Sequence, residues 1–143
     1  MGDADPPIPV LLLAGRLEAR ARSAYTLRLA QGLPGEGFAP AVACVDAARL
    51  PADARGGAAV AEYPNLDRPV WGRVVRAGLL YDLRHADDPP ALVHAQGPEA
   101  ARTAAYLAKR LGVPAVVTFH APPTGRGRLV PLPGARRHWS WPS

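Results

Sequence analysis

The sequence contains one cysteine, Cys44, so no internal disulfide can form and a reducing cytoplasm is the expected home. No apolar run exceeds the length of Val10 to Ala14, far short of the ~20 residues a membrane-crossing helix needs. The opening Met1-Gly2-Asp3-Ala4-Asp5 is acidic and lacks the basic and apolar parts of a secretory signal. Pro6 stands where a myristoylation signal requires Ser or Thr. Neither Gly-x-Gly-x-x-Gly nor Gly-x-x-x-x-Gly-Lys-Ser/Thr occurs, which removes the NAD-type and P-loop readings. The 14 glycines and 17 prolines stay below the roughly 25–30% share of low-complexity chains. Transmembrane, collagenous and disulfide-scaffold classes are thereby excluded.

Lysine is nearly absent: of 17 basic residues, 16 are Arg and only Lys109 is Lys, beside 28 Ala. GC-rich coding produces that bias without selection for polyanion binding, so the net charge of +5 says little about partners. Acidic residues are absent from 100–143, which carries seven basic side chains, whereas residues 1–99 carry 10 basic and 12 acidic ones. Such a basic stretch suits a solvated face, and also a peripheral contact with an anionic membrane surface. Nucleic acid is not an expected partner, because aromatic residues do not interleave with the arginines.

What remains is a globular chain, 48% apolar and 20% charged, of a length that suits one domain. Ile8 to Leu13, Ala39 to Val45 and, more weakly, Ala58 to Tyr63 are short apolar runs of the kind buried on both faces in a parallel sheet. A helix is expected from Ser23 as N-cap through Thr26, Leu29, Ala30 and Leu33. A second is expected with Trp71, Val74, Val75, Gly78 and Leu79 as its inner stripe and Trp71 in the core. Strand Ala91 to Ala95, helix Pro98 to Leu111 and strand Pro114 to His120 follow. Pro98 at the first helical position and Gly112 beyond the last frame that helix, and Ala101, Ala104, Ala105 and Ala108 form its small-residue face. The alternation predicts a single Rossmann-like α/β domain over 8–120, with about five parallel strands and helices on both faces. Residues 1–7 are expected to be a disordered lead and 121–143 an irregular basic tail.

Ligands of open parallel sheets bind beyond the carboxyl ends of the strands, where the strand order reverses. Gly15 and Arg16 follow the first strand, His94, Gln96 and Gly97 the fourth, and His120 ends the fifth. A lone glycine is a weak phosphate signal, and a strand-end histidine is often only packed. Two histidines at neighbouring strand ends point to one crevice. The helix starting at Pro98 turns its positive end to the same place, a natural position for an anion. Glu99 serves the dipole of that helix, and Cys44 reads as a small core residue. No further His, Cys or paired carboxylate lies at ligand spacing, so no metal site is expected.

The stretch ALVHAQGPEAARTAAYLAKRLGVPAVVTFH, residues 91–120, resembles the N-terminal domain of glycosyltransferases of the family-four kind, which have the two-domain GT-B fold. His94, the alanine-rich helix from Pro98, Gly112-Val113-Pro114 and Thr118-Phe119-His120 follow that family's order and spacing. The beginning, VLLLAGRLEARARSAYTLRLAQGL, is similar to its first strand, glycine loop and helix. The resemblance implies sugar transfer from a nucleotide-sugar to a glycan or lipid acceptor, with retention and with no metal or other cofactor. It implies His120 beside the transferred sugar, Gly15 letting backbone approach the donor phosphates and His94 lining the acceptor side, with Arg16, Gln96 and Gly97 as further substrate-binding residues. Two departures stand out: the family's Gly-Gly loop reads Gly15-Arg16-Leu17, and its His-x-His reads His94-Ala95-Gln96. The family's donor-binding C-terminal domain has no counterpart in these 143 residues. The expectation is therefore a truncated or frame-shifted chain, catalytically silent alone, with a natural half-protein and a non-catalytic binding domain as the alternatives.

Overall fold

A computed structural model describes residues 4–17, 21–47 and 58–119. The elements run β1 (Ile8–Leu13), α1 (Ala21–Gly32), a 3-10 turn (Leu33–Glu36), β2 (Phe38–Cys44), β3 (Ala59–Glu62), α2 (Trp71–Arg84), β4 (Leu92–Gln96), α3 (Pro98–Leu111) and β5 (Ala115–Thr118). All four strand pairings are parallel and the order is β3-β2-β1-β4-β5. The expected α/β architecture with five parallel strands is present. His120, the 121–143 tail and most of the loop between β2 and β3 lie outside the described residues, while Ala4 to Pro7 is exposed and without regular structure.

The period-2 geometry of a strand sorts β1 between two cores. Val10 and Leu12 join Leu27 and Ala30 of α1, with Val42 and Cys44 of β2. Leu11 and Leu13 join Leu79 and Leu80 of α2 and Ala100, Ala104 and Leu107 of α3, with Val93 and Ala95 of β4. A run of six residues without polar alternation is what two-sided burial demands, and the two helix layers supply it. Cys44 is fully buried, as its reading as a core residue requires.

Helix faces depart from expectation in three places. The buried stripe of α1 is Ser23, Thr26, Leu27 and Ala30, so Ser23 lies inside the helix facing the sheet and is not an N-cap. The buried face of α3 is centred on Leu107, with Ala100, Thr103, Ala104 and Ala108, while Ala101 and Ala105 are half-buried at its edge. In α2 the buried residues are Gly72, Leu79 and Leu80, whereas Trp71 and Val74 are each 65% exposed. The cause is a close approach: a Cβ at Gly72 would stand 2.9 Å from the Leu66 carbonyl oxygen. That contact turns the glycine inward and rotates Trp71 out. Trp71→Ala is accordingly expected to alter stability by no more than about 0.5 kcal/mol, measured by urea unfolding. A loss of about 3 kcal/mol or more, the cost of deleting a core tryptophan, would return Trp71 to the core.

Two polar ties lock the α2 side to its neighbours. Arg84 Nη2 donates to the Arg110 carbonyl at 3.0 Å, satisfying an end of α3, and the guanidinium groups of Arg76 and Arg110 lie over the Tyr106 ring. Tyr63, just beyond β3, donates its hydroxyl to Asp82 Oδ2 of α2 at 2.8 Å. Burial first, then the hydrogen bond and charge of Asp82, push its phenol up to about 12 from the ordinary 10.0. Since the folded-state value is the higher one, the stability it contributes is complete below pH 10 and is lost as pH rises through about 12. Ultraviolet titration should show Tyr63 ionising late, and Asp82→Asn should bring it only part of the way back, because burial is the larger cause.

Candidate functional site

With the order β3-β2-β1-β4-β5, the strand order reverses between β1 and β4. Chain leaving β1 feeds α1 on one face, and chain leaving β4 feeds α3 on the other, and it is at the carboxyl edge of such a switch point that open parallel sheets take their ligands. The residues singled out from the sequence and described in the structure all lie at or just below that edge.

Gly15 and Arg16 do not form a free glycine loop. Ala14 N–H donates to the Ala43 carbonyl (2.9 Å), Val45 N–H to the Gly15 carbonyl (3.0 Å) and Leu17 N–H to the Asp46 carbonyl (2.8 Å). The chain thus runs beside the end of β2 for several residues more, with an isolated parallel bridge at Arg16 and Asp46. The Arg16 guanidinium lies 3.8 Å from Asp46 Oδ2 and both side chains are about half exposed. Such a pair contributes about 0–1 kcal/mol, leaving the guanidinium free to turn to an anion. A Cβ built at Gly15 meets nothing within 4 Å, and its backbone is not left-handed. Neither packing nor dihedral strain demands glycine there.

His94 lies in the middle of β4 rather than beyond its end, because the strand continues to Gln96. Registers His94↔Val116 and Gln96↔Thr118, set against the inward Val93, Ala95 and Val117, put His94, Gln96 and Thr118 on the α1 face of the sheet. There His94 Nε2 and Thr118 Oγ1 are 2.7 Å apart. Thr118 is the site residue that sequence reasoning passed over, although it stands two residues before His120 in the Thr-x-His pattern. Its pairing with His94 depends on strand register, which the pattern does not state.

Gln96 is 4% exposed, and its Nε2 and Oε1 have no hydrogen-bond partner among the described residues. Each unmet group costs about 1–3 kcal/mol when buried. Gly97 follows with φ 115° and ψ 165°, a backbone region that essentially only glycine occupies. It lets the chain turn from β4 into α3, where Pro98 takes the first position and Glu99 the next. The Glu99 carboxylate folds back over Gly97, its oxygens 3.0 and 3.1 Å from where a Cβ would stand. His120 lies outside the described residues. Among those residues no group of three or more His, Cys, Asp or Glu is placed to hold a metal ion, and no helix is long and apolar enough to cross a membrane.

No curated protein matches the sequence significantly. Among solved structures, the C-terminal domain of a hydrogenase from Pyrococcus furiosus is 16% identical, with a TM-score of 0.49 over 83% of this chain and 97% of its own. A glycotransferase of kitacinnamycin is 20% identical, with a TM-score of 0.45 over 78% of this chain, which spans 30% of that protein's length. Neither likeness is close enough to carry an assignment. The sequence profile of Glycosyltransferase Family 4 matches residues 23–142. The match starts inside α1, so Gly15 and Arg16 fall before it, but it takes in His94, Gln96, Gly97, Thr118 and His120. The match of one family over most of the length of this doubly wound domain gives the assignment: the chain belongs to glycosyltransferase family 4.

Proposed function

We propose that this domain is the acceptor-side, N-terminal half of an enzyme that transfers a sugar from a nucleotide-sugar to a glycan or lipid acceptor. What supports the proposal is the family match together with the strand order, which leaves Gly15, Arg16, Gln96 and Gly97 near the carboxyl ends of the neighbouring strands β1 and β4. In the reaction an acceptor hydroxyl bonds to the anomeric carbon as the bond to the nucleotide phosphate breaks. The barrier falls when acceptor and sugar are held in line and the leaving phosphates are stabilised together. Gly15, with open space where a side chain would be, suits close approach of a phosphate to backbone, and Arg16 supplies a cation on a loose tether. His94 and Gln96 line the acceptor side from β4, and His120 is the proposed catalytic residue beside the transferred sugar. A donor-binding domain completes the cleft, so the domain alone is proposed to be inactive. Retention at the anomeric carbon, independence of metal and a cytoplasmic location belong to the same proposal, on the family resemblance and the single cysteine.

A peripheral membrane contact has two supports, the basic 100–143 stretch and the outward face of α2. That face shows Val70, Trp71, Val74 and Tyr81 to solvent beside exposed Arg68 and Arg73. Arginine alone is a poor reason to invoke nucleic acid here, since Arg76 and Arg110 already lie over Tyr106 and Arg84 holds α3.

The test replaces His120 by Ala in an active assembly of this domain with a donor-binding domain. Turnover should fall about 10²-fold or more, with the midpoint of unfolding nearly unchanged. Unaltered turnover with a large loss of stability would make His120 a packing residue and remove it from the chemistry.

A further inference from the structure

Sequence alone suggests that the start of α3 is an anion site, and the structure argues otherwise. The Glu99 carboxylate already lies over Gly97, at the positive end of the helix, so the helix supplies its own anion. A second negative group placed there would meet the like charge of Glu99, whose side chain is exposed. Immediately before Gly97 stands Gln96, nine-tenths buried and more, with both its donor and its acceptor unmet among the described residues. A buried carboxamide in that state is complementary to a group that donates and accepts at once and carries no charge.

We propose that the Gln96 carboxamide is the specificity contact of the acceptor subsite, and that it selects a neutral, hydroxyl-bearing group over a phosphate or carboxylate. The proposal rests on the reading of the crevice as a substrate site and names the class of group that the acceptor side takes. Gln96 Nε2 donates to a hydroxyl oxygen of the ligand, and Oε1 accepts from a hydroxyl of the same ring or polyol. The neighbours on the same face frame it: Ala14 on the β1 side gives no polar competitor, and Thr118 in register on β5 is engaged with His94. Gly15, just beyond β1, and Thr118 of β5 are partly exposed while the Gln96 carboxamide is buried, so the glutamine meets a ligand at the strand ends by turning outward about its three rotatable bonds.

The test uses the purified chain and NMR of the Gln96 side-chain amide, with methyl glucoside and glycerol as neutral probes, glucuronate and inorganic phosphate as anionic ones, and UDP-glucose as a separate arm. The neutral probes should move the Gln96 amide resonances, methyl glucoside more than glycerol if a ring is wanted, and the anions should not. Gln96→Leu, similar in volume and free of unmet polar atoms, should unfold at a higher temperature yet bind methyl glucoside about tenfold or more weakly. Gln96→Glu, which loses the donor and sets a buried negative charge near Glu99, should weaken it at least as much. Undiminished binding in Gln96→Leu, or a response to anions alone, overturns the proposal. If UDP-glucose perturbs Gly15 and Gly97 while no neutral probe touches Gln96, the contact is wrong and the substrate crevice stands. If neither UDP-glucose nor any neutral probe perturbs the crevice, both are wrong.

Discussion

Leu12→Ala is expected to cost about 2–5 kcal/mol of folding stability, and Leu13→Ala about the same. Both leucines are essentially fully buried on the central strand of the sheet, where neighbouring β2 and β4 leave no room to collapse around a cavity. A domain of this size has a total stability of about 5–15 kcal/mol, so either substitution removes a large part of it. The two should nevertheless be felt in different places. Leu12 belongs to the layer under α1, so its truncation should release the amides of α1 to hydrogen exchange first. Leu13 belongs to the layer under α2 and α3, and its truncation should act there. Equal loss of protection in all three helices from either substitution would contradict the separation of the cores by the sheet.

Gly97→Ala carries the second large effect, about 1–3 kcal/mol, because φ 115° with ψ 165° is costly for any residue with a Cβ. The Glu99 carboxylate, 3.0 Å from the new methyl, adds a contact that a flexible side chain relieves by moving. Dihedral strain and crowding separate in the Glu99→Ala background: Gly97→Ala should still cost most of its original amount there. Complete relief on removing Glu99 would show that crowding, and not the backbone, requires glycine. Calorimetry on the four proteins of that cycle provides the numbers.

The strands were legible because a parallel sheet between two helix layers leaves almost no choice of residue. Val10 to Leu13 has to be apolar at every position, and it is. The switch point was legible for the same reason, since it follows from element order once the sheet is parallel. Helix faces were less so. Trp71 and Val74 stand at core spacing, but the residue that turns inward is Gly72, whose tight approach to the Leu66 carbonyl leaves no mark in hydropathy. Ser23 has the chemistry of a cap and the position of a buried face residue. At the site, residue types and strand ends could be read, but partners could not. That His94 meets Thr118 depends on the register of β4 with β5. That the Gln96 amide is left unmet depends on everything around it.

The central claim is that the crevice between β1 and β4 receives the sugar substrates, and backbone amide shift mapping of the isotope-labelled chain tests it most directly. Titration with a nucleotide-sugar and, separately, with a neutral sugar acceptor should move Gly15, Arg16, Gln96, Gly97 and Thr118 while leaving the outward faces of α2 and α3 still. Shifts confined to those outward faces, or produced by nucleic acid and not by any sugar, would contradict it.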